Sequence, residues 1–565
     1  MYGKGTIKMK KKVGYLLYSI WGFLLVFFCY AEYVLAKAGN IVWNISWMAK
    51  LLITSILGGA VLGSIVCYVL YKAEEKLCVS PAQGDNKWPK GKKLFVISWA
   101  CNMICWLPGF FAYYPGIIAY DFPIQLDQIT SGYYITHHPL AHTLLMEGFI
   151  RLGNQLGSGT FGVALYVLLQ MSILAMAMAA MVTFMRRQNI KPVWILGVQI
   201  LCCLMPSNLY MSISATKDVL FTAFVTLFLL MMCTLLEKQE KKYKLSWIDA
   251  GYIVFGTLLI IFRNNGLYAL LITVMFLAAA VIFGKKARLF WTKLLSETVI
   301  ILAVGSLVLS FLGNVTSAVQ GDKREMLSVP IQQLARTMVY HGGVGVNIED
   351  DNTMNDVDKA LINDFILYEG YKNYKPGISD PVKGNTNTYV FVYRMKDFFK
   401  TYINLLTEYP SDYINAFLAL TAGYVSPFDQ THANIYVTEG ITGLGYIQTR
   451  RDNAAEVDVF IDSQLPGLLE KMESFADKNQ YLRVPVLNVL MAPGTYLWVF
   501  LAAAIWIILH KKYELLMPFS LLLGYYATLF LGPTVQMRYV YPIMTVLPCL
   551  IIWAGVKMRK EKEEA

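Results

Sequence analysis

Apolar runs of close to twenty residues, separated by short polar connections, dominate the chain. They fall at about 13–36, 46–71, 94–112, 161–185, 193–212, 216–236, 247–265, 266–284, 294–313, 494–510, 514–531 and 538–556. At ~1.5 Å rise per residue, a helix of that length crosses ~30 Å of hydrocarbon. Inside lipid only helices and closed barrels satisfy the backbone, and uniformly apolar runs are helices rather than alternating barrel strands. The pattern predicts an all-α polytopic membrane protein with about 12 transmembrane helices. The seventh and eighth are joined tightly at Arg263-Asn264-Asn265-Gly266.

Lysine and arginine in the short connections set the orientation. Every second connection is basic. Lys4, Lys8 and Lys10 to Lys12 precede the first run, and Lys72, Lys76, Lys87, Lys90, Lys92 and Lys93 follow the second. Arg186 and Arg187, then Lys238, Lys241, Lys242 and Lys244, then Lys285, Lys286 and Arg288 continue the alternation. Lys511 and Lys512, and finally Lys557, Arg559, Lys560 and Lys562, complete it. Both termini are therefore expected in the cytoplasm of a plasma membrane, as a multi-pass protein. The chain divides into a transmembrane module over 1–313 with an external loop at 113–160, an extracytoplasmic domain over 314–493, and C-terminal helices over 494–565. Inside the large outer segment, Tyr413 to Val425 is apolar but too short to span, and reads as a core or membrane-surface helix. No tandem repeat and no pair of similar halves is visible.

Composition agrees. Of 565 residues 56% are hydrophobic and 15% charged, against ~25% charged in soluble domains, and mean hydropathy is +0.47. The net charge of +11 is spread over loops of one sidedness and forms no stripe, so no nucleic-acid partner is expected. Nine cysteines make no disulfide framework: eight lie in or at apolar runs, Cys78 in a basic loop. The basic N-terminus precedes a run with no small-residue cleavage site, which reads as an anchor.

Candidate chemistry gathers in the expected outer loops. Tyr113-Tyr-Pro-Gly-Ile-Ile-Ala-Tyr-Asp121-Phe-Pro-Ile-Gln-Leu-Asp127 leaves the third run through a Pro-Gly turn. A carboxylate such as Asp121 can act there as a general base or hold a hard cation; it can equally be a solvated acid or a helix cap. His137, His138 and His142 cluster in Thr136-His-His-Pro-Leu-Ala-His142. His138 and His142 have one-turn spacing that suits a metal, yet Pro139 reads as the first helical residue, which would make His138 a cap. Phosphate binding or acid–base work by His137 or His138 weighs equally with zinc. The following helix carries Leu140, Leu144, Leu145, Phe149 and Leu152 and is expected to lie on the membrane surface. Lys217 and Asp218 open a span, where charges face a cavity or each other, although Asp218 also suits a helix N-terminus. Arg263 and Arg538 sit at outer span ends, where they serve as anionic-headgroup ligands or as snorkelling anchors. There is no phosphate-binding loop, no His-Glu-x-x-His and no Gly-x-Ser-x-Gly.

These stretches, with Leu327-Ser-Val-Pro-Ile-Gln-Gln-Leu-Ala-Arg336 and Arg538-Tyr539, resemble the GT-C superfamily of membrane glycosyltransferases, and within it an uncharacterised group of Firmicute membrane proteins related to it. The resemblance covers most of the chain through short motifs. It implies a bacterial enzyme that moves a sugar from a polyprenyl-phosphate or polyprenyl-diphosphate donor to a cell-surface glycan or protein, with inversion, amid membrane lipids. It makes Asp121 the catalytic base, Asp127 its alternative, and Asp218 the second acid. Lys217, Arg263, Arg538, His137 and His138 become donor-phosphate ligands. A divalent metal (Mg, Mn or Zn) on Asp121, His138 and His142 is possible chemistry. One departure is that Asp121 and Asp127 are six apart with Pro123 between, where many relatives have adjacent acids. The segment around Ser328 to Gln333 is expected to cover the site and bind the acceptor. The rival reading is a transporter or lipid flippase for an envelope precursor, and a third is a non-catalytic scaffold on the same frame.

Overall fold

The computed structural model describes residues 3–41, 43–76, 89–118, 121–188, 190–239, 245–347, 349–428, 459–477 and 483–564. Cys78, Lys87, Lys241, Lys242 and Lys244, used above, lie outside the described residues. The chain opens with α1 (Gly3–Ala38), α2 (Ile45–Lys76) and α3 (Gly91–Ala112). The shorter α4 (Phe122–Ser131) and α5 (Leu140–Gln155) precede α6 (Gly159–Arg187), α7 (Pro192–Leu204), α8 (Pro206–Ser212) and α9 (Lys217–Lys238). Then come α10 (Trp247–Phe262), α11 (Asn264–Phe283) and α12 (Arg288–Val315). A run of short helices follows: α13 (Ser328–His341), α14 (Asp356–Phe365), α15 (Asp380–Lys383), α16 (Thr388–Tyr393), α17 (Met395–Glu408) and α18 (Pro410–Val425). The chain ends with α19 (Pro466–Asp477), α20 (Leu487–Met491), α21 (Pro493–Leu509), α22 (Met517–Leu529) and α23 (Met537–Glu564). Among the described residues β structure is limited to isolated bridges, so the fold is all-α.

Eight helices, α1, α2, α3, α6, α9, α11, α12 and α23, are long and apolar enough to cross a membrane, as a multi-pass membrane protein requires. The run at 193–212 is helical but broken. α7 and α8 meet at a bend of 51° and make a ninth crossing if counted as one. Pro206 stands at the break, where it donates no hydrogen bond and its ring excludes the preceding carbonyl from helical geometry. The runs at 247–265, 494–510 and 514–531 are helices of 16, 17 and 13 residues, shorter than the ~20 that a full crossing takes.

Close helix contacts rest on small residues. A Cβ at Gly59 would strike the Phe23 backbone, and one at Gly63 the Tyr18 carbonyl, which lets α1 and α2 pack backbone to backbone. The main core runs through α3, α6, α9, α10, α11 and α21 to α23. A second core, from Leu327 to Tyr413, belongs to α13 to α18. Within the expected 314–493 segment, Tyr424, Val459, Met472, Ala476 and Met491 pack into the main core. α18 joins the two cores. It is mostly buried, with Tyr413 in one and Tyr424 in the other, because its Tyr424 and Val425 carbonyls accept hydrogen bonds from Tyr526 and Trp498.

α5, expected on the membrane surface, packs one face into the protein, Leu140 among its buried residues. His142, Thr143, Met146, Glu147, Ile150 and Gly153 are buried, while Leu152 is exposed. Gly153 meets Gly162 of α6 at a distance no Cβ would permit. The polar members of the face are tolerated because each has a partner: Glu147 accepts from Tyr134 Oη at 2.7 Å.

Candidate active site

Four loops bring the site together at one end of the bundle. After α3 the chain turns at Gly116, whose φ is +140°. A Cβ there would meet Val167 at 2.8 Å and the Ile213 carbonyl at 2.9 Å, so glycine is required. The next residues run alongside the approach to α9: Ile117 N donates to Ile213 O at 2.8 Å and Ala215 N to Ile117 O at 2.9 Å. Gln170 of α6 clamps the segment before α9 by donating to the Ser212 and Ser214 carbonyls. This pairing sets Asp121, the N-cap of α4, beside Lys217 at the start of α9.

Asp121 Oδ2 is paired with Lys217 Nζ. Arg538 Nη1, one residue into α23, lies 3.4 Å from the same oxygen and 3.6 Å from Asp218 Oδ2. Asp218 is also paired with Arg263, the single extended residue between α10 and α11, and receives the Thr216 hydroxyl at 3.2 Å. Aromatic rings frame the guanidiniums. Arg263 lies 5.0 Å from the Tyr539 ring, 5.6 Å from Phe221 and 5.7 Å from Tyr525. Arg538 lies 4.8 Å from the Tyr539 ring and donates to its hydroxyl at 3.0 Å. Asp218 is fully buried and each arginine keeps 5% exposure, while the Asp121 side chain retains 20%. The site therefore opens at Asp121.

Three cations face two carboxylates, a balance of +1 (3 − 2) with the histidines neutral. Burial alone would raise the Asp121 carboxyl. Lys217 and then Arg538 outweigh it and hold the group well below the usual carboxylate range. Asp121 is thus an ionised carboxylate with its charge fully engaged.

The histidines separate. His138 is 2% exposed, with Nδ1 at 3.9 Å from Asp121 Oδ2. It is not the cap of α5; Pro139 takes that position and helix begins at Leu140. Burial, reinforced by Lys217, pushes its pKa down to about 3, so its ring is neutral. His137 stacks edge-on against it at 4.6 Å between centroids, and its main chain is covered by Gly321. Glu325, just before the second core, and Lys383 within it act on His137 electrostatically. His142 is buried away from the carboxylates: Nδ1 meets Gln125 Oε1 at 3.0 Å and Nε2 meets Tyr166 Oη at 2.5 Å.

The expected metal trio of Asp121, His138 and His142 is accordingly not assembled. Both His142 nitrogens are taken, and Asp121 is flanked by two cations that would repel a third. Among the described residues no three His, Cys, Asp or Glu side chains are grouped to hold a metal ion. Asp127 sits partly buried further along α4, about 9 Å in rise beyond Asp121 and on another face. Ser328, Gln332 and Gln333 are buried at the start of α13. Gln332 donates to Lys375 O at 2.7 Å, Gln333 to Tyr413 O at 3.1 Å, and both brace the second core. That core is held by a charge network absent from the sequence reading. Buried Arg336 bonds Asp412 Oδ1 at 3.0 Å and Asn40 Oδ1 at 2.8 Å, and His341 bridges Asp412 and Asp351 at 2.8 and 2.9 Å.

Tyr525, Tyr539 and Gln536, whose Oε1 accepts from Arg538 Nε, were also missed as site residues. Tyr539 follows Arg538 directly, which is a usable signal; Tyr525 lies in an apolar run and has none. No curated protein matches the sequence. No solved structure matches it either. A family profile, described as a family of unknown function, DUF6020, matches residues 123–565, beginning two residues beyond Asp121 and taking in Lys217, Asp218, Arg263 and Arg538. By that match, over well more than half its length, the chain belongs to the DUF6020 family.

Proposed function

We propose that the chain is a GT-C-type membrane glycosyltransferase that moves a sugar from a polyprenyl-phosphate or polyprenyl-diphosphate donor to a cell-surface acceptor. In this reading the helical runs make twelve spans, with both termini cytoplasmic, and the 327–413 domain and the site face outward in a bacterial plasma membrane. One observation carries it. Lys217, Arg263 and Arg538 converge with Asp121 and Asp218 where α9, α11 and α23 begin. A lipid phosphate has to be met at that depth, at the end of apolar helices and beside a carboxylate that opens outward.

The chemistry follows from the charges. The donor phosphate competes with Asp121 for Lys217 and Arg538, and guanidiniums bind phosphate oxygens in a forked geometry. As the phosphate takes these cations, Asp121 loses the partners that depress it and becomes a better proton acceptor. The acceptor oxygen then attacks the sugar carbon, its proton passes toward Asp121, and the sugar–phosphate bond breaks. The electron pair leaves on the phosphate, where Lys217, Arg263 and Arg538 stabilise it in a site of low dielectric. Asp218 holds both arginines in place, which makes it a positioning residue.

A transporter would instead move an intact lipid or solute past charges near mid-membrane; the charges here sit at helix ends. The test is transfer of radiolabelled sugar from a panel of polyprenyl-phosphate sugars in proteoliposomes. Consumption of one donor by the wild type supports the enzyme. No consumption of any donor, with movement of labelled lipid between leaflets, turns the reading to a flippase.

A further inference from the structure

The mechanism above leaves one buried group unused. His138 is 2% exposed, and neither ring nitrogen has a hydrogen-bond partner among the described residues. A buried polar side chain left in that state is costly, and buried polar groups are ordinarily satisfied. His142, four residues on, shows the ordinary case, with a partner on each nitrogen.

The surroundings of His138 fix what kind of ligand would satisfy it. The charged and titratable groups facing it are Asp121 from the α4 N-terminus, Lys217 from α9, Arg538 from α23, and its neighbour His137. Its Nδ1 faces the Asp121 carboxylate at 3.9 Å, about 1 Å beyond hydrogen-bond reach. An ionised carboxylate only accepts, so the nitrogen turned to it is the one that carries the proton. A neutral imidazole has one donor and one acceptor nitrogen. Nε2 is then left as a lone-pair acceptor. A phosphate oxygen offers it no proton; a hydroxyl does.

We propose that His138 Nε2 binds the hydroxyl that attacks the sugar, so the site divides into a phosphate half (Lys217, Arg263, Arg538) and a hydroxyl half (Asp121, His138). This rests on the glycosyltransferase reading and removes His138 from the phosphate ligands expected from sequence. When donor phosphate draws Lys217 from Asp121, the carboxylate is free to close on Nδ1–H. The hydroxyl proton passes to Nε2 as the Nδ1 proton passes to Asp121. The acceptor oxygen bonds to the sugar carbon, and the carbon–phosphate oxygen bond breaks with its electrons on the phosphate. Gly321 covers the His137 main chain, so the segment leading into the second core borders the hydroxyl half.

The test uses the full chain in proteoliposomes, a donor that the wild type consumes, and glycerol as the hydroxyl probe. His138→Phe keeps the ring volume and removes the acceptor nitrogen, while His138→Gln keeps an acceptor oxygen. The expected result is a loss of transfer of tenfold or more in H138F, partial recovery in H138Q, and farnesyl phosphate affinity within twofold of wild type in both. Transfer by H138F at the wild-type rate overturns the proposal and leaves the glycosyltransferase reading standing. A loss of farnesyl phosphate affinity in H138F, in a variant whose thermal midpoint is unchanged, also overturns it, by returning His138 to the phosphate half. A wild type that consumes no donor overturns the glycosyltransferase reading, and this assignment falls with it.

Discussion

Replacing Asp218 with asparagine separates the two roles of the charge cluster. Asp218 is fully buried and holds Arg263 directly and Arg538 at 3.6 Å. Its removal changes the balance in the site from +1 to +2 and leaves a guanidinium buried without its carboxylate. Breaking a buried pair in this one-sided way costs ~3–5 kcal/mol. No discount for solvent screening applies, because neither partner is open to water. The rings of Phe221, Tyr525 and Tyr539 surround Arg263 in both proteins and do not offset the loss. A phosphate-bearing lipid supplies the missing anion. At 100 times its Kd a ligand stabilises the state it binds by ~2.7 kcal/mol, more than half of the expected loss. Thermal unfolding of wild type and D218N, with farnesyl phosphate or farnesol, reads both quantities. The account expects a lower midpoint for D218N, recovered by farnesyl phosphate and not by farnesol. An unchanged midpoint, or equal protection by farnesol, refutes the argument that these arginines await a phosphate.

Two further outcomes follow from groups outside the spans. For His341, burial alone would lower the pKa, and Asp412 and then Asp351 outweigh it, so the value is raised. A raised folded pKa gives stability that is complete below the unfolded value of ~6.5 and disappears as pH climbs through the folded one. The thermal midpoint should therefore fall across that window in wild type and not in His341→Gln; the same fall in both variants would remove His341 as its source. His142→Ala leaves Gln125 and Tyr166 without their partner and should cost about 1–3 kcal/mol, read as a lower midpoint with donor affinity kept; a selective loss of metal-dependent activity would instead restore the ligand role.

The helices were legible because lipid-length apolar runs admit no other structure, and the charged site residues because positive charge is scarce at one set of helix ends. Asp121, Lys217, Asp218, Arg263 and Arg538 were each visible as single anomalies. The resemblance grouped them; the local structure that brings them together was not legible, since it depends on the pairing of Ile117 with Ile213 and Ala215 and on a break of one residue at Arg263. One-turn spacing misled for His142, because His138 lies ahead of the helix that begins at Leu140 and both His142 nitrogens are taken by Gln125 and Tyr166. The Arg336–Asp412–His341 network joins residues some seventy positions apart, which no local pattern announces.

The central claim is that Asp121 accepts the proton in a sugar transfer whose phosphate is held by the neighbouring cations. General base catalysis contributes ~10²–10⁴-fold, and asparagine keeps the shape while removing the base. The direct measurement is the rate of labelled-sugar transfer by wild type and Asp121→Asn at saturating donor, with farnesyl phosphate affinity measured beside it. The account predicts a rate at least a hundredfold lower with phosphate affinity retained. Transfer by D121N at the wild-type rate contradicts it.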